Sequence, residues 1–185
     1  MYTCDSFTSR LRIASLGLIF AVITLLFGQG MGIVFGLNEE SIKGRLKTSA
    51  TEVRDTVYKG DAASLKAVLD KSWAYMQRAH LHAGGMGTTA VVLIVLTCLL
   101  GLSRLMTVAI GIGLGDGGLG YSLYWMWAGF RAPALGSTGA AKESLKWLAM
   151  PSSGAFVLAT FAVLAMLFVT LVRPRSVAEK VRSTE

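Results

Sequence analysis

The sequence predicts an all-α integral membrane protein: four transmembrane helices, with an extramembrane antiparallel helical hairpin between spans 1 and 2. Three observations predict it. Hydrophobic residues make up 53% of the 185 and charged residues only 16%, with a mean hydropathy of +0.56, which leaves too little polar surface for a soluble domain of this length. The charges are segregated, most of them in residues 39–78 and in the two tails. The stretches between them are long enough to cross a hydrocarbon core of roughly 30 Å.

Residues 1–12 read as a cytoplasmic polar tail ending in Arg10 and Arg12. Residues 13–37 carry no charge and form the first span. The apolar core of a cleaved signal peptide is about 7–15 residues and ends at a small-x-small site, so this longer run is read as a retained anchor. Its second half places Gly28, Gly32 and Gly36 at four-residue spacing, a strip on which another helix can pack closely.

Residues 38–78 are expected to form the extracytoplasmic hairpin. Asn38 caps its first helix with Glu39 and Glu40 in the first turn, and Ile42, Leu46, Val53 and Val57 follow at helical spacing. Lys59-Gly60-Asp61 is a turn with Asp61 as the next N-cap, and Leu65, Leu69, Trp73, Met76 and His80 continue a second stripe. Such a hairpin is too small to bury a core by itself and must lean on its own spans or on a partner.

Residues 79–103 form the second span, ended by the turn Gly101-Leu102-Ser103-Arg104. The third, 105–130, contains Asp116 near its middle among glycines 111, 113, 115, 117, 118 and 120, with Tyr121, Tyr124, Trp125 and Trp127 as an aromatic belt. Arg131 and Pro133 are expected to close it. Residues 131–150 are an extracytoplasmic loop holding an interfacial amphipathic helix through Leu145, Trp147 and Leu148, with Thr138 as a helix cap. Pro151 opens the fourth span, 151–172, and residues 173–185 are a cytoplasmic basic tail with Arg173, Arg175, Lys180 and Arg182. The density of basic residues beside the membrane favours both termini in the cytoplasm, as in a bacterial inner-membrane protein.

Several function classes drop out. The net charge of +7 resides in loops and ends and suits anionic lipid headgroups, since no nucleic-acid-binding motif accompanies it. Cys4 and Cys98 give neither a disulfide nor a zinc spacing. Residues 136–142 fail the GxxxxGK[ST] phosphate-loop spacing. No nucleophile with its base, carboxylate pair or dinucleotide fingerprint is present, so the sequence favours a protein that is not an enzyme.

Two candidate sites remain. His80 and His82 stand where the charged helix enters the apolar one, and neutral imidazole is the commonest metal ligand. Residues two apart on a helix of 3.6 residues per turn point about 200° apart, so they converge on one ion only if Gly84 and Gly85 break the helix. The pattern over residues 79–87 is similar to histidine pairs in haem- and copper-containing membrane proteins, a resemblance that implies His80 and His82 as ligands of a haem or transition metal. The residues themselves do not favour either cofactor from this chain alone. The competing reading packs His80 within the hairpin and leaves His82 as a polar interfacial residue.

Asp116 is the second site. A carboxylate at mid-span costs about 2.5–3.5 kcal/mol on insertion scales, so a functional role is the default and the bundle interior its expected position. Direct pairing with His82 is excluded by a rise of roughly 15 Å between them in straight helices. A relay Asp116–Tyr121–Thr88–His82 is the geometric alternative. The surrounding glycines are read as packing positions, Gly111 and Gly115 against the strip of the first span, in preference to a broken helix.

The leading expectation is a non-catalytic membrane subunit docking in a larger, energy-converting assembly or with its own copies. The runner-up is a small haem- or metal-binding redox or transport protein using His80 and His82. A third reading is an ion or proton path through Asp116, Tyr121 and Thr88.

Overall fold

The computed structural model describes residues 7–172, which are all-helical with no strand among them. Cys4 and the basic tail 173–185 lie outside the described residues. Six helices follow one another: α1 (Phe7–Ile13), α2 (Ser15–Thr51), α3 (Ala62–Leu100), α4 (Arg104–Leu135), α5 (Thr138–Glu143) and α6 (Lys146–Val172). Three of them, α2, α3 and α6, are long and apolar enough to cross a membrane by length and composition. α4 is not among these three. Its glycines, Asp116 and polar rings dilute its hydropathy, and it is instead the helix on which α2, α3 and α6 all pack.

α2 and α3 have 37 and 39 residues, about 55 Å each at 1.5 Å per residue, and so outrun a hydrocarbon core of roughly 30 Å. They run antiparallel, Gly28 meeting Ala83 and Gly84, Gly32 meeting His80, and Lys43 lying over Trp73. Within α2 two helices meet across a kink at Asn38 (φ −131°, ψ 21°), so the charged section begins a new helical segment at Asn38, as its position in the sequence suggests.

The expected signals at the α3 termini are present. Lys59 and Gly60 take positive φ, and the Asp61 carboxylate accepts from the backbone N–H groups of Ala63 and Ser64. Gly101 ends α3 in the left-handed region (φ 68°), and the Ser103 hydroxyl caps α4 by accepting from the Met106 N–H. Residues 7–12, expected as a polar tail, are helical in α1. Arg10 there donates to the Cys98 carbonyl, which also accepts from the Gly101 N–H, and so places a cation at the C-terminus of α3.

Three boundaries differ from expectation. α4 continues through Pro133 to Leu135 and is ended by left-handed Gly136, while α6 starts at Lys146 and carries Pro151 inside it. Each proline lacks the N–H that would reach the carbonyl four residues back, Gly129 for Pro133 and Trp147 for Pro151, so each helix continues with one ladder bond missing. Trp147 and Leu148 therefore belong to α6 and not to a separate interfacial helix. The cap of short α5 is Ser137, not Thr138: its hydroxyl accepts from the Ala140 N–H.

The charged section of α2 and α3 leans on the end of α4. Ala50, Tyr58, Val68, Ala132 and Ala141 form one buried cluster, and the Tyr58 hydroxyl donates to the Pro133 carbonyl at 2.7 Å. Burial pushes the Tyr58 phenol above its usual value near 10. The stabilisation is then complete below that ordinary value and is lost as pH rises through the raised one. Tyr58→Phe is expected to cost about 1 kcal/mol at neutral pH and to remove part of the alkaline destabilisation, read from thermal unfolding between pH 7 and 11.

Candidate functional site

The seams of the bundle are made of small residues. Buried Ala14, Gly17, Ala21, Thr24, Gly28 and Met31 recur at spacings of three and four and make one face at the start of α2. A Cβ at Gly17 would overlap the backbone of Gly111, and one at Gly115 would overlap the Gly17 carbonyl. Gly111 and Gly115 thus pack on α2 as expected, but the residue they meet is Gly17. The strip of Gly28, Gly32 and Gly36 does not face α4: Gly28 and Gly32 pack on α3, and a Cβ at Gly36 would meet nothing within 4 Å. α4 is an unbroken helix through Gly115-Asp116-Gly117-Gly118.

His80 and His82 do not converge, because the helix around them is also unbroken. The His80 Nδ1 lies 2.8 Å from the Gly28 carbonyl oxygen and donates to it, and its ring rests on Gly32 of α2. The His82 ring meets α4 instead, 5.1 Å from Tyr121 edge-on and 6.1 Å from Trp125 in a stack. Tyr75 and Tyr124 complete the cluster around Trp125, with the Arg78 guanidinium 5.0 Å from the Trp125 ring. The Trp125 Nε1 is the one buried side-chain nitrogen or oxygen without a hydrogen-bond partner among the described residues. Tyr75 and Arg78 were not singled out from the sequence. Their four- and seven-residue offsets from His82 on the same helix face were the available signal.

Of the four relay residues, the structure brings together Tyr121 and His82. Thr88 is exposed and its hydroxyl donates to the Gly84 carbonyl of its own helix. Asp116 is exposed as well, which reverses the expectation of an interior carboxylate. It stands level with Gly17 and Phe20 of α2 and with Ser152 and Phe156 of α6, through the packing of Gly115 and Gly117 beside it. The exposed α4 residues Leu105, Ala109, Asp116, Trp127 and Phe130 fall within one stripe at helical period, in which Asp116 is the one charge.

Among the described residues, no group of three or more His, Cys, Asp or Glu side chains is placed to hold a metal ion. His80 has one protein-fixed ring nitrogen and one left over, the arrangement typical of a histidine whose second nitrogen serves a ligand. That second nitrogen borders a groove between α2 and α3 of about 420 Å³. Comparison of the chain with protein-family models, with curated proteins and with solved structures gave no match.

Proposed function

We propose that this chain is a non-catalytic integral membrane subunit that docks within a larger membrane assembly through the uncovered stripe of α4. In this reading α4 is a fourth span and the charged section 38–78 stands outside the bilayer as a hairpin. Both termini are cytoplasmic, as in a bacterial inner-membrane protein. The observation that carries the reading is Asp116. It sits on an otherwise apolar exposed face, level with the apolar sections of two helices that are themselves long enough to span. Against lipid, a carboxylate there costs about 2.5–3.5 kcal/mol, and intramembrane carboxylates face protein or a water-filled cavity. A partner helix covering the stripe removes that cost.

The two other readings have less support. A haem or metal held jointly by His80 and His82 needs the two rings to approach one another, and they rest on different helices. An ion path through Asp116, Tyr121 and Thr88 needs a continuous polar chain, and Thr88 is turned to the outside.

The test places a photo-crosslinking residue at Ala109, Ile112 or Trp127 on the stripe and, for comparison, at Phe161 on the exposed face of α6. Crosslinking in intact membranes is expected to give a discrete protein adduct from the α4 positions and lipid adducts from Phe161. Lipid adducts from every position, with a chain that purifies alone in mild detergent, would reject the subunit reading.

A further inference from the structure

We propose that the groove between α2 and α3 beside His80 is a binding site for the headgroup of a lipid-soluble hydroquinone. Its floor is the glycine backbone of Gly32 and Gly36, and Phe35 and Trp73, packed on each other with ring centroids 5.2 Å apart, form a single aromatic wall beside His80. The volume of about 420 Å³ takes one substituted six-membered ring with room for its attachments. The glycines are what make the space. Gly36 has nothing within 4 Å of where a Cβ would stand, and Gly32 lets the imidazole lie flat on α2.

The chemistry of the site follows from the fixed tautomer. Because His80 Nδ1 faces a carbonyl oxygen at 2.8 Å, that nitrogen carries the proton in the neutral ring. Nε2 is then an acceptor. No group among the described residues pairs with it, and it is not among their buried unpartnered atoms, so it opens on the groove. An acceptor beside an aromatic wall favours a hydroxyl donor on a flat ring that can pack on that wall, which is the chemistry of a hydroquinone. A cationic headgroup is disfavoured, since the one carboxylate at the rim, Glu39, is already paired with Lys43. A metal is disfavoured because, among the described residues, no group of three or more His, Cys, Asp or Glu side chains is placed to hold one, and Glu39 at the rim is paired with Lys43.

The position suits an amphiphile. The groove ends at the Asn38 kink, where the uncharged run of α2 gives way to Glu39 and Glu40. On the other side exposed Ile33 and Leu81 continue an apolar surface along which a hydrocarbon tail can lie. The headgroup therefore sits at the border of the apolar layer with its tail inside it. This site is separate from the α4 stripe, so the two proposals fail independently.

The experiment titrates the full chain, in phosphatidylcholine nanodiscs under argon, with decyl-hydroquinone, with its dimethyl ether and with 1-decanol, by calorimetry. The hydroquinone is expected to bind and its ether, which lacks the donors, to bind about tenfold more weakly, the scale of one hydrogen bond. Gly36→Leu fills the groove without meeting any neighbour within 4 Å of its Cβ and is expected to weaken the hydroquinone at least about tenfold while leaving thermal unfolding in place. Equal binding of hydroquinone and ether, or binding of decanol alone, would make the groove a slot for alkyl chains and overturn the proposal. So would unchanged affinity in a folded Gly36→Leu chain, or no hydroquinone binding at all.

Discussion

Gly17→Leu is expected to destroy the bundle, although leucine is the better helix former by close to 1 kcal/mol. The Cβ alone would overlap the Cα, carbonyl carbon and oxygen of Gly111, and these are backbone atoms that cannot rotate away. α2 and α4 must move apart, which also unseats Gly115 from the Gly17 carbonyl and Ala21 and Leu114 from the cluster they share. Overpacking by a methylene costs about 1–3 kcal/mol where side chains can repack, and a rigid glycine seam offers no such repacking. A loss of several kcal/mol is a large part of the 5–15 kcal/mol that typically holds a domain together. Gly30→Leu is the matched control, because a Cβ there would meet nothing within 4 Å. Thermal unfolding in mild detergent should show Gly30→Leu near the unsubstituted chain and Gly17→Leu without a cooperative transition. Equal melting of the two variants would mean that the α2–α4 seam does not hold the fold.

That seam shows how far the sequence was legible. Close helix approach through glycine was readable, yet it was assigned to Gly28, Gly32 and Gly36, where the regular four-residue spacing draws the eye. The set Ala14, Gly17, Ala21, Thr24 and Gly28 is spaced by three and four and was equally present. Nothing local distinguishes a glycine facing α3 from one facing α4, because that choice is made by the third helix in the contact. Local chemistry was more readable. Asp61 and Gly101 mark their helix ends because a cap and a left-handed residue act within one turn. Pro133 and Pro151 misled in the same range, since a proline removes a single ladder bond and a long packed helix can continue past it. Depth was legible also. A fixed rise per residue puts His82 level with Tyr124, Trp125 and Trp127 and puts Tyr121 lower, level with Thr88; in the structure the His82 ring meets Trp125 and also Tyr121. The facing of Asp116 was not. A carboxylate in an apolar helix is expected inside, but glycine-rich faces bury the rest of α4 so completely that the outer face is what remains for it.

Because Asp116 lies outside the packed core, its replacement is expected to separate folding from assembly. Asp116→Leu should leave the isolated chain at least as stable in detergent, since the side chain is exposed and makes no hydrogen bond or ion pair among the described residues. Association is another matter. If the covering helix presents a cation, Asp116→Leu strands that charge in an apolar seam at a cost of about 3–5 kcal/mol, roughly two to nearly four orders of magnitude in affinity. Asp116→Asn resolves the nature of the group. A partner hydroxyl or amide can still donate to the asparagine carbonyl, so most of the affinity survives, whereas a partner lysine or arginine loses its countercharge and falls nearly as far as with leucine. A second copy of this chain would place two Asp116 carboxyls together, and there either substitution should tighten the dimer by removing like-charge repulsion. Measured by co-purification and by native mass spectrometry of all three forms, the order wild type, Asn, Leu identifies a neutral or charged partner by where the drop occurs, and the reverse order identifies a homodimer. Partner recovery that neither falls nor rises with Asp116→Leu would show that the stripe is covered for reasons unconnected with its carboxylate, and the subunit reading would lose the observation on which it stands.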